Sequence, residues 1–378
     1  MTTKNRGHGE GTIKHRTDGR WEAQITLATG KRKSLYGKTR KEVQDKLRSA
    51  LRDIDAGLEL SAGRQTVERF LDRWLEDAVR PTVRPKTHHD YAQLARLYIK
   101  PALGRVQLTK LTPQHVQKMM ADMTAAGLSP RTVQYTRAVL RRALVQGLKW
   151  GLVARNVATL VDPPRSAKKR VTPPTAAQAR AFLDFVRGQN DRLWPLLTVA
   201  IMTGMRQAEL LGLRWSDVNL QTGEVHVAHA IQRIDGEWRF VEPKSKRSVR
   251  TLSLTAEAAE ALAAQRVRQI EERLVAGDRW RDMGLVFTSG VGTPIEPSNL
   301  NRRLHALQAG AGLPPNGMHS FRHCFASVLV AQGVSPRVVM EALGHTQISL
   351  TMDTYSHVMP AALQDAANAL TAALAINN

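Results

Sequence analysis

One cysteine, Cys324, is all the thiol chemistry in this 378-residue chain, which excludes an internal disulfide and any zinc site built on cysteines. No apolar run is long enough to span a bilayer. The polar, glycine-rich start from Met1 to Gly11 lacks the apolar core of a secretory signal. There is no glycine-rich Walker loop, and no His/Asp/Glu cluster stands out at metal-ligand spacing. Acidic residues are scarce as well: 33 stand against 55 Lys and Arg, a formal net charge of +22. These absences predict an intracellular, soluble protein with no membrane partner. The excess of cations predicts a polyanionic one, because Lys and Arg on phosphates release counterions.

The charge is uneven. Residues 1–60 carry a net +6, residues 61–165 a net +11, and residues 166–378 only +5. The surface that holds the polyanion is therefore expected mostly in the first 165 residues.

Within 1–60, Ile13 and His15, then Trp21, Ala23, Ile25 and Leu27, keep the period of two of half-buried strands. Asp18-Gly19 between them predicts a hairpin with a type I′ turn. A third run, Lys31 to Tyr36, follows Thr29-Gly30, and Val43, Leu47, Leu51 and Ile54 predict a helix from Thr39 to Ala56 that Gly57 closes. Lys14, Arg16, Arg20, Lys31, Arg32 and Lys33 dot the strands. A β-ribbon fits the major groove of DNA, so these are candidate contacts to phosphates or bases; the plainer alternative is a solvated sheet face.

Residues 66–162 read as helical. Phe70, Trp74 and Leu75 begin an apolar stripe, and Thr112-Pro113 and Ser129-Pro130 look like N-caps followed by proline at the first helical position. Between Arg131 and Lys149, Val133, Leu140, Leu144 and Leu148 are expected to point inward. Arg137, Arg141 and Arg142 are left for another face, as candidate DNA contacts or simply solvated cations. A proline-marked, charged stretch (Asp162 to Arg165, Lys168 to Pro174) is the clearest boundary in the chain. Beyond it, Thr175 with Gln178 suggests a capping box. Val225–Ala230, Trp238–Val241 and Val249–Leu254 look like short strands among many helices. The expected class is mainly α with small β elements (α+β).

Cutting DNA without a metal needs a nucleophile, cations to neutralise the attacked phosphate and an acid for the leaving oxygen. The third segment holds Thr203-Gly-Met-Arg-Gln-Ala-Glu-Leu, Glu242-Pro-Lys-Ser-Lys, His319-Ser-Phe-Arg-His and Leu343-Gly-His, followed by Asp353-Thr-Tyr-Ser-His. In that order and at those separations, these motifs resemble the tyrosine recombinases of phages and conjugative elements over about residues 172–360.

The resemblance implies three domains: 1–60, a three-stranded sheet with a helix, binding arm-type DNA; 61–165, a helical core-binding bundle; and 166–378, a helix-dominated catalytic domain with a C-terminal helix. It implies Arg206 and Arg322 as a fork on the scissile phosphate, with Glu209 bracing Arg206 from one helical turn away. Out of this context an Arg-x-x-Glu is an ordinary helix ion pair. His319 would take and return the nucleophile's proton, His345 would hydrogen-bond the phosphate, and His323 would pack. Lys244 would protonate the departing 5′ oxygen, although Lys246 and Arg247 stand close by and a basic turn on the DNA backbone is the alternative.

Tyr355, ten residues after His345, would be the nucleophile; the other four tyrosines (Tyr36, Tyr91, Tyr98, Tyr135) lie outside the catalytic segment. Opposed cations would favour its phenolate against an ordinary pKa of ~10. Rejoining needs no ATP, because the covalent link conserves the phosphodiester's energy, and no cofactor or metal is implied. Cys324 need only be a small buried residue. Leu363, Ala367, Leu370 and Leu374 lie on one helical stripe, which the family docks on a neighbouring protomer and which could equally pack on its own domain.

The activity implied is joining of two attachment sites through a Holliday junction by a homo-tetramer, in the cytoplasm of a bacterial host on its nucleoid. A DNA-bending host factor and a directionality factor would assist. The rivals are a dimer-resolving recombinase, which usually lacks the N-terminal sheet, a type IB topoisomerase, and a non-catalytic DNA-binding regulator, which has no need of Tyr355.

Overall fold

The computed structural model describes residues 12–26, 32–55, 65–165, 172–242 and 248–344. The chain divides into two compact units, Met1–Lys168 and Lys169–Asn378.

The first unit opens with an antiparallel sheet, β1 (Thr12–His15), β2 (Trp21–Thr26) and β3 (Arg32–Gly37), in that order. Helix α1 (Arg40–Asp55) covers one face, and Ala23, Ile25, Val43, Leu47 and Ala50 form a small core between them. The first hairpin differs from the expected type I′ turn. Arg16 N–H donates to Arg20 O at 2.8 Å and Gly19 N–H to Arg16 O at 3.1 Å, so Thr17-Asp18-Gly19 is the loop. Only Gly19 is left-handed, at φ 80°. This is the three-residue hairpin whose last position needs glycine. Asp18 instead accepts from Arg20 N–H at 3.1 Å and holds its guanidinium.

A second cluster lies within helices α2 (Val67–Arg73), α3 (Pro85–Leu94), α4 (Lys100–Leu103), α5 (Pro113–Ala125) and α6 (Pro130–Lys149). α2 runs on through a wider π turn, Trp74–Val79, that brings Trp74 onto Tyr91 at 6.0 Å and 12° between rings. The proline-marked starts are real caps: Thr112 and Ser129 accept from the N–H three residues on. Val133, Leu140 and Leu144 face inward as the spacing predicts, but Leu148 is 40% exposed. Steps of four drift 40° on a helix of 3.6 residues per turn, so Gly147 turns in, where a Cβ would meet Phe70 at 3.2 Å and Val153 at 3.3 Å.

The second unit is built around α8 (Trp194–Thr203), an almost wholly apolar helix buried on all sides, as such a helix must be. Against it pack α7 (Ala176–Gly188), α10 (Ala256–Ala276) and α12 (His319–Ala331). The Thr175–Gln178 capping box is formed in both directions. Strands β4 (Val218–Asn219), β5 (Glu224–Val227) and β8 (Arg250–Ser253) make one antiparallel sheet. β6 (Ala230–Ile234) and β7 (Glu237–Val241) make a separate hairpin. The expected strand from Val225 to Ala230 is thus two strands, and Asp235 and Gly236, both at positive φ, form the turn that the same dipeptide does not form at Asp18. α9 (Gln207–Leu211), α11 (Pro297–Gly310) and α13 (Pro336–Leu343) complete the described part.

Candidate active site

Thr203-Gly-Met-Arg is the corner between α8 and α9. Gly204 ends α8 in the left-handed region at φ 61°, where glycine carries no Cβ penalty. A Cβ there would lie 2.5 Å from Phe325 Cδ1 and 3.0 Å from Leu343 Cδ2, so the position excludes any other residue on two counts. The extended backbone of Arg206 then starts α9. Its N–H donates to Glu209 Oε2 at 2.9 Å and its Nη1 to Oε1 at 2.7 Å, so one carboxylate fixes both ends of the arginine.

Glu209 is only 4% exposed in its side chain and is shared with a second cation, Arg250, 7% exposed, whose Nη2 donates to Oε2 at 3.0 Å. Burial pushes the Glu209 carboxyl up, but the Arg250 charge and hydrogen bond, with the Arg206 N–H and charge, outweigh it and hold the pKa below its ordinary value.

The His-x-x-Arg motif opens α12, which presents His319 and Arg322 one turn apart. Arg322 is 2% exposed. Its Nη1 donates to Gly204 O at 2.7 Å and its Nη2 to Leu343 O. With Arg206 Nη2 on Gly344 O at 3.1 Å and Arg250 Nε on Ala342 O at 2.7 Å, three guanidiniums occupy three consecutive carbonyls at the end of α13. Helix C-termini leave such carbonyls unpaired and carry partial negative charge. The Leu-Gly of Leu-Gly-His therefore serves as the anchor on which the two motif arginines meet.

His319 stands at the exposed start of α12 with its ring 4.6 Å from that of His323, edge to face. Crowding by surrounding protein, then the charges of His323, Arg322 and Arg206, push its pKa down to about 4, so it is neutral and able to accept a proton at physiological pH. The same causes, burial first and then Arg322, lower His323. Burial raises the Cys324 thiol to about 11, which leaves it unreactive. No group of three or more metal-ligating side chains is found among the described residues.

Arg206, Glu209, His319 and Arg322 are thus drawn into one place from α9 and α12. Lys244, His345 and Tyr355 lie outside the described residues, as do Lys31 and the stripe Leu363 to Leu374. Arg250 was not among the residues singled out from the sequence. Its signal is the period of two: Arg250 shares the inward face of β8 with Leu252, and a charge on a buried strand face implies a partner.

The remaining sequence candidates lie in the first unit. Lys14 and Arg16 reach the buried carboxylate of Glu22, at 3.4 and 3.2 Å. The guanidiniums of Arg16 and Arg20 lie 5.6 and 5.8 Å from the Tyr36 ring centroid. Arg32 is exposed, and Lys33 pairs with Ile25 on the face that α1 covers. On α6, Arg142 donates to Tyr91 Oη at 3.1 Å, Arg141 is exposed, and Arg137 is half-buried.

A helix-dominated domain that gathers a Thr-Gly-x-Arg turn and a His-x-x-Arg helix on a Leu-Gly-His segment is that of a tyrosine recombinase. Residues 175–361 match the Phage integrase family, and residues 66–123 match a phage integrase N-terminal SAM-like domain. An integrase of Streptomyces ambofaciens is 32% identical, with 93% of each chain covered. A protein of Caldanaerobacter subterraneus described as tyrosine recombinase XerC-like is 30% identical over 87% of this chain and 88% of its own.

Among solved structures, the Tn1549 transposon integrase with a circular intermediate DNA superposes at a TM-score of 0.65, with 20% identity, over 77% of this chain and 95% of its own. Lambda integrase, as a tetramer bound to a Holliday junction, superposes at 0.55, with 18% identity, over 93% and 96%. The chain belongs to the phage integrase family.

Proposed function

We propose that this chain cuts and rejoins DNA at two specific sites, inserting or excising a mobile element, with Tyr355 as nucleophile. The observation that carries the reading is the meeting of Arg206 and Arg322 on the neighbouring carbonyls of Gly344 and Leu343, with a neutral His319 beside them. Two fixed guanidiniums suit the non-bridging oxygens of one phosphodiester. They supply charge where it develops in the transition state, with no reorganisation to be made.

Tyr355 Oη attacks phosphorus as His319 accepts its proton. The bond to the 5′ oxygen breaks, Lys244 gives that oxygen a proton, and a 3′-phosphotyrosyl link remains. Attack by a 5′ hydroxyl from the partner duplex reverses these steps and closes a crossed strand. A second pair of exchanges resolves the Holliday junction. His345 hydrogen-bonds the phosphate. No ATP is consumed, since one phosphoester replaces another.

Residues 1–60 would hold arm-type sites through Lys14, Arg16, Arg20, Lys31, Arg32 and Lys33. Residues 61–165 would hold the core through Arg137, Arg141 and Arg142, and residues 166–378 would catalyse. The working assembly is a homo-tetramer on two duplex attachment sites, acting at a bacterial nucleoid in the cytoplasm. A DNA-bending host factor and a directionality factor are its expected partners. Descriptions of relatives as integrases favour integration over resolution of dimers.

The test is covalent capture: supercoiled DNA carrying the sequence beside the gene is mixed with the protein and quenched with SDS. A protease-sensitive adduct from wild type and none from Tyr355→Phe is the expected result. An adduct that persists in Tyr355→Phe would remove the proposed nucleophile.

A further inference from the structure

We propose that Arg250 is a positioning residue for strand cleavage, locking the phosphate-binding arginines to the segments that carry the rest of the site. The proposal rests on the recombinase reading and adds a residue that the family motifs quoted above do not include.

Each of the three guanidinium nitrogens of Arg250 donates to a separate piece of backbone or side chain. Nη2 donates to Glu209 Oε2 at 3.0 Å, Nη1 to Ser248 O at 3.0 Å and Nε to Ala342 O at 2.7 Å. Each partner stands next to catalytic machinery. Glu209 holds both ends of Arg206. Ser248 follows directly on the segment that carries Lys244. Ala342 precedes by one and two residues the carbonyls that receive Arg322 and Arg206, and by three residues His345. With Nε, Nη1 and Nη2 each donating to a protein oxygen, the side chain acts through these partners.

Two features separate positioning from charge balance. A buried carboxylate needs a cation, and any cation would serve that need. The planar fork serves a different need: its donors point in fixed, divergent directions, so they set where Glu209, β8 and the end of α13 stand relative to one another. A lysine at 250 would keep the positive charge and one hydrogen bond while releasing the other two segments. Misplacement on the scale of 1 Å at a reacting centre costs about 10²-fold in rate.

The experiment compares wild type, Arg250→Lys and Arg250→Met as full chains on supercoiled DNA carrying the sequence beside the gene. It measures the single-turnover rate of adduct formation, the Kd for the same DNA and the thermal midpoint. Arg250→Lys is expected to lose about 10²-fold in adduct rate while Kd and midpoint stay near wild type. Arg250→Met is expected to lose folding as well. A wild-type adduct rate in Arg250→Lys would show that charge alone suffices and overturn the proposal. So would a rate loss in Arg250→Lys that merely tracks losses of Kd and midpoint. Absence of a tyrosine-linked adduct from wild type would instead overturn the recombinase reading, and this inference with it.

Discussion

Arg322 Nη1 donates to the backbone oxygen of Gly204 at 2.7 Å, joining residues 118 positions apart. The contact explains why two motifs remote in sequence belong together: the left-handed turn of Gly204 aims its carbonyl at the guanidinium of the His-x-x-Arg helix. It also ties the rim of α8 to the end of α13, since the same guanidinium donates to Leu343 O.

Gly204→Ala tests that corner. The substitution places a Cβ in a left-handed residue, 2.5 Å from Phe325. Strain and overpacking together should cost about 2–4 kcal/mol of stability. Chemical denaturation should register the loss, and adduct formation should fall with it, because Arg322 loses an aligned acceptor. A variant as stable as wild type would contradict the close approach.

Glu209→Gln should be costly despite its near-identical shape, because it leaves Arg250 charged and buried. Breaking such a pair costs about 3–5 kcal/mol, and urea unfolding at pH 7 measures it. The pH dependence has a definite sign. The folded pKa of Glu209 lies below its unfolded value of 4.5, so its contribution is present above pH 4.5 and is lost as pH falls through the folded value.

His319 pulls in the same direction, over a higher pH window. Its folded pKa is about 4 against 6.5 unfolded. Between those values the unfolded chain binds a proton that the folded chain does not, so stability falls as pH falls through that window. Proton NMR titration of the His319 ring in the DNA-free protein should show a midpoint near 4. A midpoint near 6.5 would remove the argument for an acceptor kept neutral by its surroundings and then by neighbouring charges.

Glu22 sits under the long side chains of its own sheet face. Hydrogen bonds from Ser34 and Gln24, then Arg16 and the Lys14 charge, lower its pKa from 4.5 to about 2. Glu22→Gln should reduce hydrogen-exchange protection of the β2 amides at neutral pH. The gap from wild type should close as pH falls from 4.5 toward 2, where the native carboxylate takes up its proton. A gap independent of pH would mean that shape, not charge, holds the face.

Affinity for duplex DNA should fall by orders of magnitude between 50 and 200 mM salt if roughly 6–10 phosphates are contacted. Removing residues 1–60 should weaken binding at arm-type sites more than cleavage at the core. Equal losses at both would place the two functions in one surface.

Much of this protein was legible in the sequence, for local reasons. Proline after threonine or serine marked where α5 and α6 begin, because cap hydrogen bonds close within three residues. The family resemblance marked Arg206, Glu209, His319 and Arg322, and within each motif short spacing sets which side chains are neighbours.

Other features needed the tertiary structure. Asp-Gly occurs at 18 and at 235, yet only the second is a two-residue turn; strand register and Asp18's bonds to Arg20 chose otherwise at the first. Gly147 turned inward in place of Leu148, at a spot where Phe70 and Val153 leave no room for a side chain. Arg250 carries no mark in the sequence motifs, and it is β8 that places it against Glu209 and the end of α13. A buried charge is made tolerable by partners far away in the chain, and no local pattern of residues names those partners.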